Sequence, residues 1–391
     1  MPPITSLLNI DGFELEDISG LDPITFKVRY TLPPSCPHCF ALKLRIKDTF
    51  YRRIRHESFG ARKVYLYLRT RKFLCHSCGR YFNERFPGIL PNKRSTEAFR
   101  REVFDKHNDG ICQKVLSERL GIGQATIERW YHSFLELKLT RSQNEPCPRV
   151  LGIDEHFFTR KQGYATTLCD LAHHKIYDVV LGRSEKAVEL VFEKLPDKRK
   201  VRVVVMDLSE TYRSIARKYF PNAQIVTDRF HVIRLVNHHF LKVWQSIDPT
   251  GRKNRGLLSL MRRHQDKLDV AQGLKLQDYF SKFPALDPLW DFKQKLCRLL
   301  LVKNITHSQA PKLIPTFIRF VQQLIDSPFE SLQTLGKTLR AWDKEIVRMW
   351  RFSRSNGITE GFHTKMELIS RRAYGFRNFQ NYRLRVRALC A

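Results

Sequence analysis

Four cysteines of this sequence stand in two Cys-x-x-Cys pairs, Cys36 with Cys39 and Cys75 with Cys78. Each pair lets two thiolates reach one ion from a tight turn, and two such turns complete a tetrahedral zinc site. Because a closed site of four thiolates leaves no position for a substrate, we expect one structural Zn²⁺ ion here, without a catalytic role.

Three acidic residues further along the chain could hold catalytic metal ions. Asp154 and Asp207 each end an apolar, strand-like run, where α/β sheets hold ligands. Glu360 falls in the first turn of a predicted helix that reaches about residue 372 and carries His363 on the same face. Carboxylates are costly to bury unpaired and are hard ligands for divalent cations. Taken singly, either aspartate could instead cap the turn that follows it.

Such a triad suits phosphodiester chemistry with two Mg²⁺ or Mn²⁺ ions. One ion lowers the pKa of a bound water or 3′ hydroxyl, and the other stabilises the leaving oxygen. Because the ions must lie roughly 3.5–4 Å apart, their ligands must come from different, rigid elements. The fold therefore has to bring the three carboxylates together.

The pattern over residues 148–391 predicts a ribonuclease-H-like α/β catalytic domain. Three strands, a helix, a strand, a helix and a further strand follow one another in the order of that fold. These elements are predicted at residues 150–154, 164–171, 175–181, 184–195, 201–206, 210–220 and 224–227. Residues 239–345 carry helical runs without a strand pattern, so we predict an all-helical insertion before the helix of Glu360.

The cysteine pairs predict a zinc ribbon over residues 36–92, preceded by a lead-in over residues 1–35. Residues 64–68 alternate in strand fashion before the second pair, which places the pairs at hairpin ends. The spacer between the pairs exceeds the usual ~15–20 residues, so we expect a long loop between the ribbon strands.

A helix-turn-helix domain is predicted over residues 93–145. Helices at 96–107, 113–120 and 124–137 flank a glycine turn at 121–123, the arrangement in which the last helix enters a DNA groove. Its predicted groove-facing residues are Gln124, Thr126 and Arg129, and its predicted buried face is Ile127, Trp130, Phe134 and Leu137. An ordinary three-helix packing module is the alternative.

Charge supports a nucleic-acid partner. Lys and Arg total 69 against 39 Asp and Glu, a formal net charge of +30, which favours binding to a polyanion. Within the basic ribbon we expect Arg71 and Lys72 to contact phosphate. The sequence shows neither a signal peptide nor an apolar run of the roughly 18 residues that a membrane helix needs, so we expect a cytoplasmic protein without a membrane partner.

Several motifs together resemble the ISL-three (ISL3) family of bacterial insertion-sequence transposases. They are the two cysteine pairs, the helix-turn-helix at residues 116–130, Gly152-Ile153-Asp154-Glu155, Asp228-Arg229-Phe230-His231-Val232, Ser355-Asn356-Gly357 with Glu360-Gly361, and Tyr374-Gly375-Phe376-Arg377-Asn378-Phe379. The resemblance covers nearly the whole chain.

The resemblance implies a DDE triad, which falls on Asp154, Asp207 and Glu360. Related transposases with a helical insertion carry an Asp/Cys-x-x-His pair before it, which matches Asp228 and His231 as auxiliary site residues. The implied partners are the terminal inverted repeats of the element and target DNA. A homodimer or larger assembly on DNA, within the bacterial nucleoid, is also implied.

Two other classes of protein remain as alternatives. The first is a DNA-binding regulator derived from such an element, with its catalysis unused, against which the intact triad argues. The second is a nuclease of the same fold, against which the ribbon and the helix-turn-helix argue, because structure-specific nucleases rarely need sequence readers.

Overall fold

The computed structural model describes residues 8, 10–140, 145–352 and 357–390. It divides into two compact units, one of Met1–Thr140 with Arg371–Gly375 and one of Arg141–Ser370 with Phe376–Ala391. No helix among the described residues is long and apolar enough to cross a membrane.

The first unit begins with a five-stranded sheet. Its strands are β1 (Phe13–Ser19), β2 (Ile24–Tyr30), β3 (Leu44–Phe59), β4 (Arg62–Cys75) and β5 (Tyr81–Asn83), in the order β1-β2-β4-β3 with β5 also on β4. β3 and β4 pair antiparallel along almost their whole length and turn at Gly60, which has a φ of 63°. The prediction of a long loop between the ribbon strands was wrong, because long strands take up the spacer.

The predicted lead-in over residues 1–35 contains two strands, β1 and β2, that belong to the same sheet as the ribbon strands β3 and β4. β2 pairs in parallel with β4 through Ile24–Val28 and Val64–Leu68, and β1 pairs with β2. The alternation over residues 64–68 buries Val64, Leu66 and Leu68 on one face. Phe26 and Val28 of β2 belong to the same core cluster as this apolar face.

Three helices follow, α1 (Glu97–Asn108), α2 (Gln113–Leu120) and α3 (Gln124–Thr140). Thr96 caps α1 by accepting from the Phe99 amide, and Gly121 ends α2 in the left-handed conformation that favours glycine. Of the four residues predicted for the buried face of α3, Ile127 is buried, Trp130 and Phe134 are half-buried, and Leu137 is 64% exposed. The buried residues of this helix are Ile127, Tyr131, Leu135 and Leu139.

The second unit is built on another five-stranded mixed sheet. Its strands are β6 (Val150–Thr159), β7 (Gly163–Asp170), β8 (Lys175–Leu181), β9 (Val203–Met206) and β10 (Gln224–Thr227), in the order β10-β9-β6-β7-β8. β6, β7 and β8 form an antiparallel meander, and β9 and β10 extend it in parallel on the other side of β6. Helices α4 (Glu185–Lys194) and α5 (Glu210–Tyr219) connect the later strands.

The segment predicted as an all-helical insertion contains no strand among its described residues, and the helices extend beyond both predicted bounds. They are α6 (Arg229–Ile247), α7 (Pro249–Lys253), α8 (Arg255–Arg262), α9 (Val270–Lys282), α10 (Leu286–Leu300), α11 (Ala310–Ile325), α12 (Glu330–Ala341) and α13 (Asp343–Met349). Part of this segment shares the main core with the sheet, while α8 and α9 pack in a smaller cluster with Leu241 and Trp244 of α6. The last two helices of the chain are α14 (Gly357–Arg372) and α15 (Phe379–Leu389).

Candidate metal centres and nucleic-acid interface

Three aspartates lie at one edge of the second sheet. Ile153 of β6 pairs with Met206 of β9, and Thr227 of β10 pairs with the same Met206. Asp154, Asp207 and Asp228 are the residues that follow these three in the chain. Because the three strands run parallel, their next residues emerge at the same edge. Asp154 does not end its strand as predicted, since β6 continues to Thr159, but it lies where the parallel pairing ends.

His231 joins this group from the first turn of α6. Its Nε2 lies 4.0 Å from Asp154 Oδ1 and 3.8 Å from Asp228 Oδ2. The residues that the resemblance marked as an auxiliary pair therefore stand beside Asp154.

Burial governs the electrostatics of the aspartates. It raises the pKa of Asp154 to about 7, against a hydrogen bond from the Glu155 amide, and repulsion by Asp207 and Asp228 adds to the rise. Burial also raises the pKa of Asp207, which the charges of His231 and Arg234 partly offset. Asp207 Oδ1 is buried and has no hydrogen-bond partner among the described residues. Closely spaced carboxylate oxygens, one of which has no hydrogen-bond partner, provide a suitable site for a divalent cation.

Glu360 lies in the first turn of α14, with its side chain exposed. One turn later, His363 Nε2 lies 3.3 Å from Thr167 Oγ1, and Thr167 is the direct cross-strand neighbour of Asp154. The helix of Glu360 is therefore attached to the sheet beside Asp154. Ser355 and Asn356, part of the motif before this helix, lie outside the described residues.

Sequence reasoning missed the polar network that makes this attachment. His156 Nδ1 lies 2.9 Å from Thr167 Oγ1, and the hydroxyl of Tyr382 on α15 lies 2.8 Å from His156 Nε2. Burial lowers the pKa of His156 to about 3 and that of His363 to about 4, so both rings are neutral near pH 7. One proton arrangement then satisfies every contact, since Tyr382 donates to His156, His156 to Thr167, and Thr167 to His363.

The four cysteine sulfurs form a separate centre at the open end of the β3–β4 hairpin. The Sγ atoms of Cys36 and Cys78 lie 3.7 Å apart and those of Cys39 and Cys75 lie 3.6 Å apart. A disulfide requires about 2.05 Å, whereas a tetrahedron with Zn–S bonds of about 2.3 Å has edges of about 3.8 Å. Within the described ranges, this is the one group of three or more potential metal ligands whose atoms all lie within 4.8 Å of one another. The residues fit a structural zinc ion.

The residues expected to contact DNA differ in how exposed their side chains are. Gln124 and Arg129 are exposed at the start of α3, and Thr126 is half-buried. Lys72 is exposed and lies over the Tyr81 ring, 5.7 Å from its centroid.

The guanidinium of Arg71, which is also expected to contact phosphate, forms an ion pair with Glu84. Arg71 Nε donates to Glu84 Oε2 at 3.0 Å, and the Glu84 residue is only 4% exposed. A buried carboxylate needs such a partner. This pairing, which sequence spacing does not reveal, gives Arg71 a structural role in the sheet.

Two family models match the chain. Residues 151–386 match the ISL3 model described as a transposase, and residues 32–78 match a model described as the zinc-finger of transposase IS204/IS1001/IS1096/IS1165. The transposase for insertion sequence element IS1001 from Bordetella parapertussis is 24% identical over 369 residues, which cover 90% of this chain and 88% of that protein. The first match includes Asp154, Asp207 and Glu360, and the second includes all four paired cysteines.

Proposed function

The chain belongs to the ISL3 family of transposases, and we propose that it cuts and rejoins DNA at the ends of its own insertion sequence with Asp154, Asp207 and Glu360 as ligands of two Mg²⁺ or Mn²⁺ ions. The observation that carries this proposal is the meeting of Asp154, Asp207 and Asp228 at one sheet edge, with the helix of Glu360 attached beside Asp154. The strand order β10-β9-β6-β7-β8 supports a ribonuclease-H-like catalytic domain.

Side chains of this protein provide the proposed metal ligands and position them. Bound divalent ions would activate the attacking water or 3′ hydroxyl and stabilise the leaving oxygen. Asp154 and Asp207 offer oxygens that burial has separated from water, so their affinity for a cation is high compared with exposed carboxylates. His231 lies within 4.0 Å of Asp154 and Asp228 and is suited to hold both carboxylates in place or to contact a phosphate oxygen. Asp228 and His231 are therefore proposed as auxiliary residues.

The first unit is proposed to recognise double-stranded DNA. The α2–Gly121–α3 arrangement supports a helix-turn-helix, with Gln124, Thr126 and Arg129 at the groove-facing start of α3. The zinc ion would hold the open end of the β3–β4 hairpin and take no part in the reaction. The proposal includes assembly of two or more copies on the paired element ends in the nucleoid.

An in vitro reaction with purified full-length protein tests this function. The substrate is a duplex that carries the element's own end with its flanking DNA, and a duplex with a scrambled end is the control. We expect Mg²⁺-dependent cleavage and joining of the true end alone. Binding without cleavage would indicate a regulator, and equal cleavage of both duplexes would indicate a nuclease without end recognition.

A further inference from the structure

A basic groove of about 520 Å³ lies along α6 in the second unit. Arg234, His238 and Lys242 line it at steps of four residues, which places them on one face of the helix. Arg252 of α7 and Arg262 of α8 line the same groove. Neither the predicted triad nor the predicted helix-turn-helix uses these residues.

The positive charges of this groove are not compensated within it, because none of its lining residues is acidic. Arg234, Lys242 and Arg262 are exposed. The Nε atom of Arg252 is buried without a hydrogen-bond partner among the described residues, and its guanidinium lies 5.9 Å from the centre of the Trp244 ring. A concave surface that gathers like charges without acidic residues is suited to an anionic ligand.

The groove continues from the candidate catalytic site. α6 begins directly after Asp228, and its first turn carries His231. Arg234 follows one turn later on the same helix and lines the groove. Lys242 stands fourteen residues after Asp228, which is about 21 Å along a helix that rises 1.5 Å per residue.

We propose that this groove binds the sugar–phosphate backbone of the DNA next to the cleaved phosphate and guides it into the carboxylate site. The ligand is double-stranded DNA, and the contacts are to phosphate, without base recognition. At 3.4 Å per base pair, 21 Å corresponds to about six base pairs. The assignment rests on the proposed function, since it takes Asp154 and Asp207 as the place of cleavage.

The first test measures the salt dependence of binding by the full-length protein to a duplex with the element end and its flank, without divalent metal. Each lost phosphate contact lowers the log–log salt slope by about 0.9, so Lys242→Ala with Arg262→Ala should lower it by about 1.8. We expect affinity to fall roughly thirtyfold at about 0.15 M salt. The matched control, Lys337→Ala with Arg340→Ala on α12, removes two exposed charges outside the groove and should change neither quantity. Equal effects in the two double variants, or none in either, would overturn the proposal.

The second test locates the DNA. A photoreactive p-benzoylphenylalanine in place of Lys242 should crosslink to nucleotides about six base pairs from the cleaved phosphate, and in any case within one helical turn of about ten base pairs. Crosslinks confined to more distant nucleotides, or none, would contradict the groove assignment. Wild-type cleavage of the same duplex keeps the two proposals apart. If the wild type cleaves and the groove results are negative, only the groove proposal fails, whereas absence of wild-type cleavage rejects the proposed function.

Discussion

Replacement of Thr167 by valine should slow DNA cleavage while the protein stays folded and still binds the element end. The two side chains have nearly the same shape, and both suit a β-strand. Thr167 is fully buried, so the substitution removes only its hydroxyl from the network of His156, His363 and Tyr382. The attachment of α14, which carries Glu360, then loses its polar contact with the strand of Thr167.

The expected magnitude follows from the groups left without partners. The His156 Nδ1 donor loses a contact of 2.9 Å and the His363 Nε2 acceptor loses a longer one of 3.3 Å. A buried polar group without a partner costs about 1–3 kcal/mol, and the longer contact contributes less. We therefore expect the free energy of unfolding to fall by about 2–3 kcal/mol. Misplacement of Glu360 by a small distance should slow cleavage at least about tenfold, equivalent to about 1.4 kcal/mol in the barrier.

The matched control is Thr166→Val on the neighbouring position. Thr166 is equally buried, and its hydroxyl contacts the Gly182 carbonyl at 2.7 Å and the Tyr212 hydroxyl at 3.0 Å, away from α14. Thermal unfolding and single-turnover cleavage are measured for both variants at a temperature where both are folded. Both should lose similar stability, but only Thr167→Val should lose cleavage while keeping end binding. Equal cleavage rates in the two variants would refute the positioning role of this network.

Three other predictions follow from the same geometry. Metal analysis of purified protein should find one zinc ion per chain, and Cys75→Ser should release it and abolish end binding. Well-folded protein without zinc would exclude the ribbon site. Arg129→Ala should weaken binding to the element end more than binding to random DNA, while Lys72→Ala should weaken both alike. Equal losses of affinity for the two DNAs in Arg129→Ala would indicate that Arg129 contacts phosphate. Because burial raises the folded-state pKa of Asp154 from its ordinary value of 3.8 to about 7, metal-free protein should lose stability as pH rises from about 4 to 7. Asp154→Asn should remove this contribution, which raises the free energy of unfolding at pH 8 by up to about 4 kcal/mol and raises the melting temperature with it. An unchanged pH dependence would contradict the raised pKa.

Local patterns were enough to predict many elements. α2, β8 and β10 have the predicted bounds, because each is an apolar or amphipathic run that ends at a turn or capping residue. The ribbon strands were harder to recognise, since much of β3 is exposed and its Arg and Lys residues hide the alternation. β6 was predicted too short because Glu155 and His156 interrupt its apolar run.

Some residues of the candidate site could be predicted from the sequence, whereas their contacts could not. The acidic residues are visible in the sequence because a carboxylate after an apolar strand stands out. The polar network of Thr167 depends on the cross-strand register that places it opposite Asp154. It also depends on the positions of α14, which carries His363, and α15, which carries Tyr382. The pairing of Arg71 with Glu84 likewise depends on the β4–β5 register. Such contacts join residues far apart in the chain, so periodicity does not reveal them.

The central claim is that Asp154, Asp207 and Glu360 carry the metal-dependent chemistry. Strand cleavage and joining of an element-end duplex with Mg²⁺ tests it directly, using Asp154→Asn, Asp207→Asn and Glu360→Gln, with Glu155→Gln as the control. Each triad variant keeps the shape of the side chain but removes an anionic ligand, so we expect loss of cleavage by at least about a thousandfold with end binding retained. Glu155 follows Asp154 in β6 and points to the opposite face, so Glu155→Gln should stay active. Substantial strand transfer by any triad variant would remove that residue from the site, and full activity in all three would contradict the mechanism.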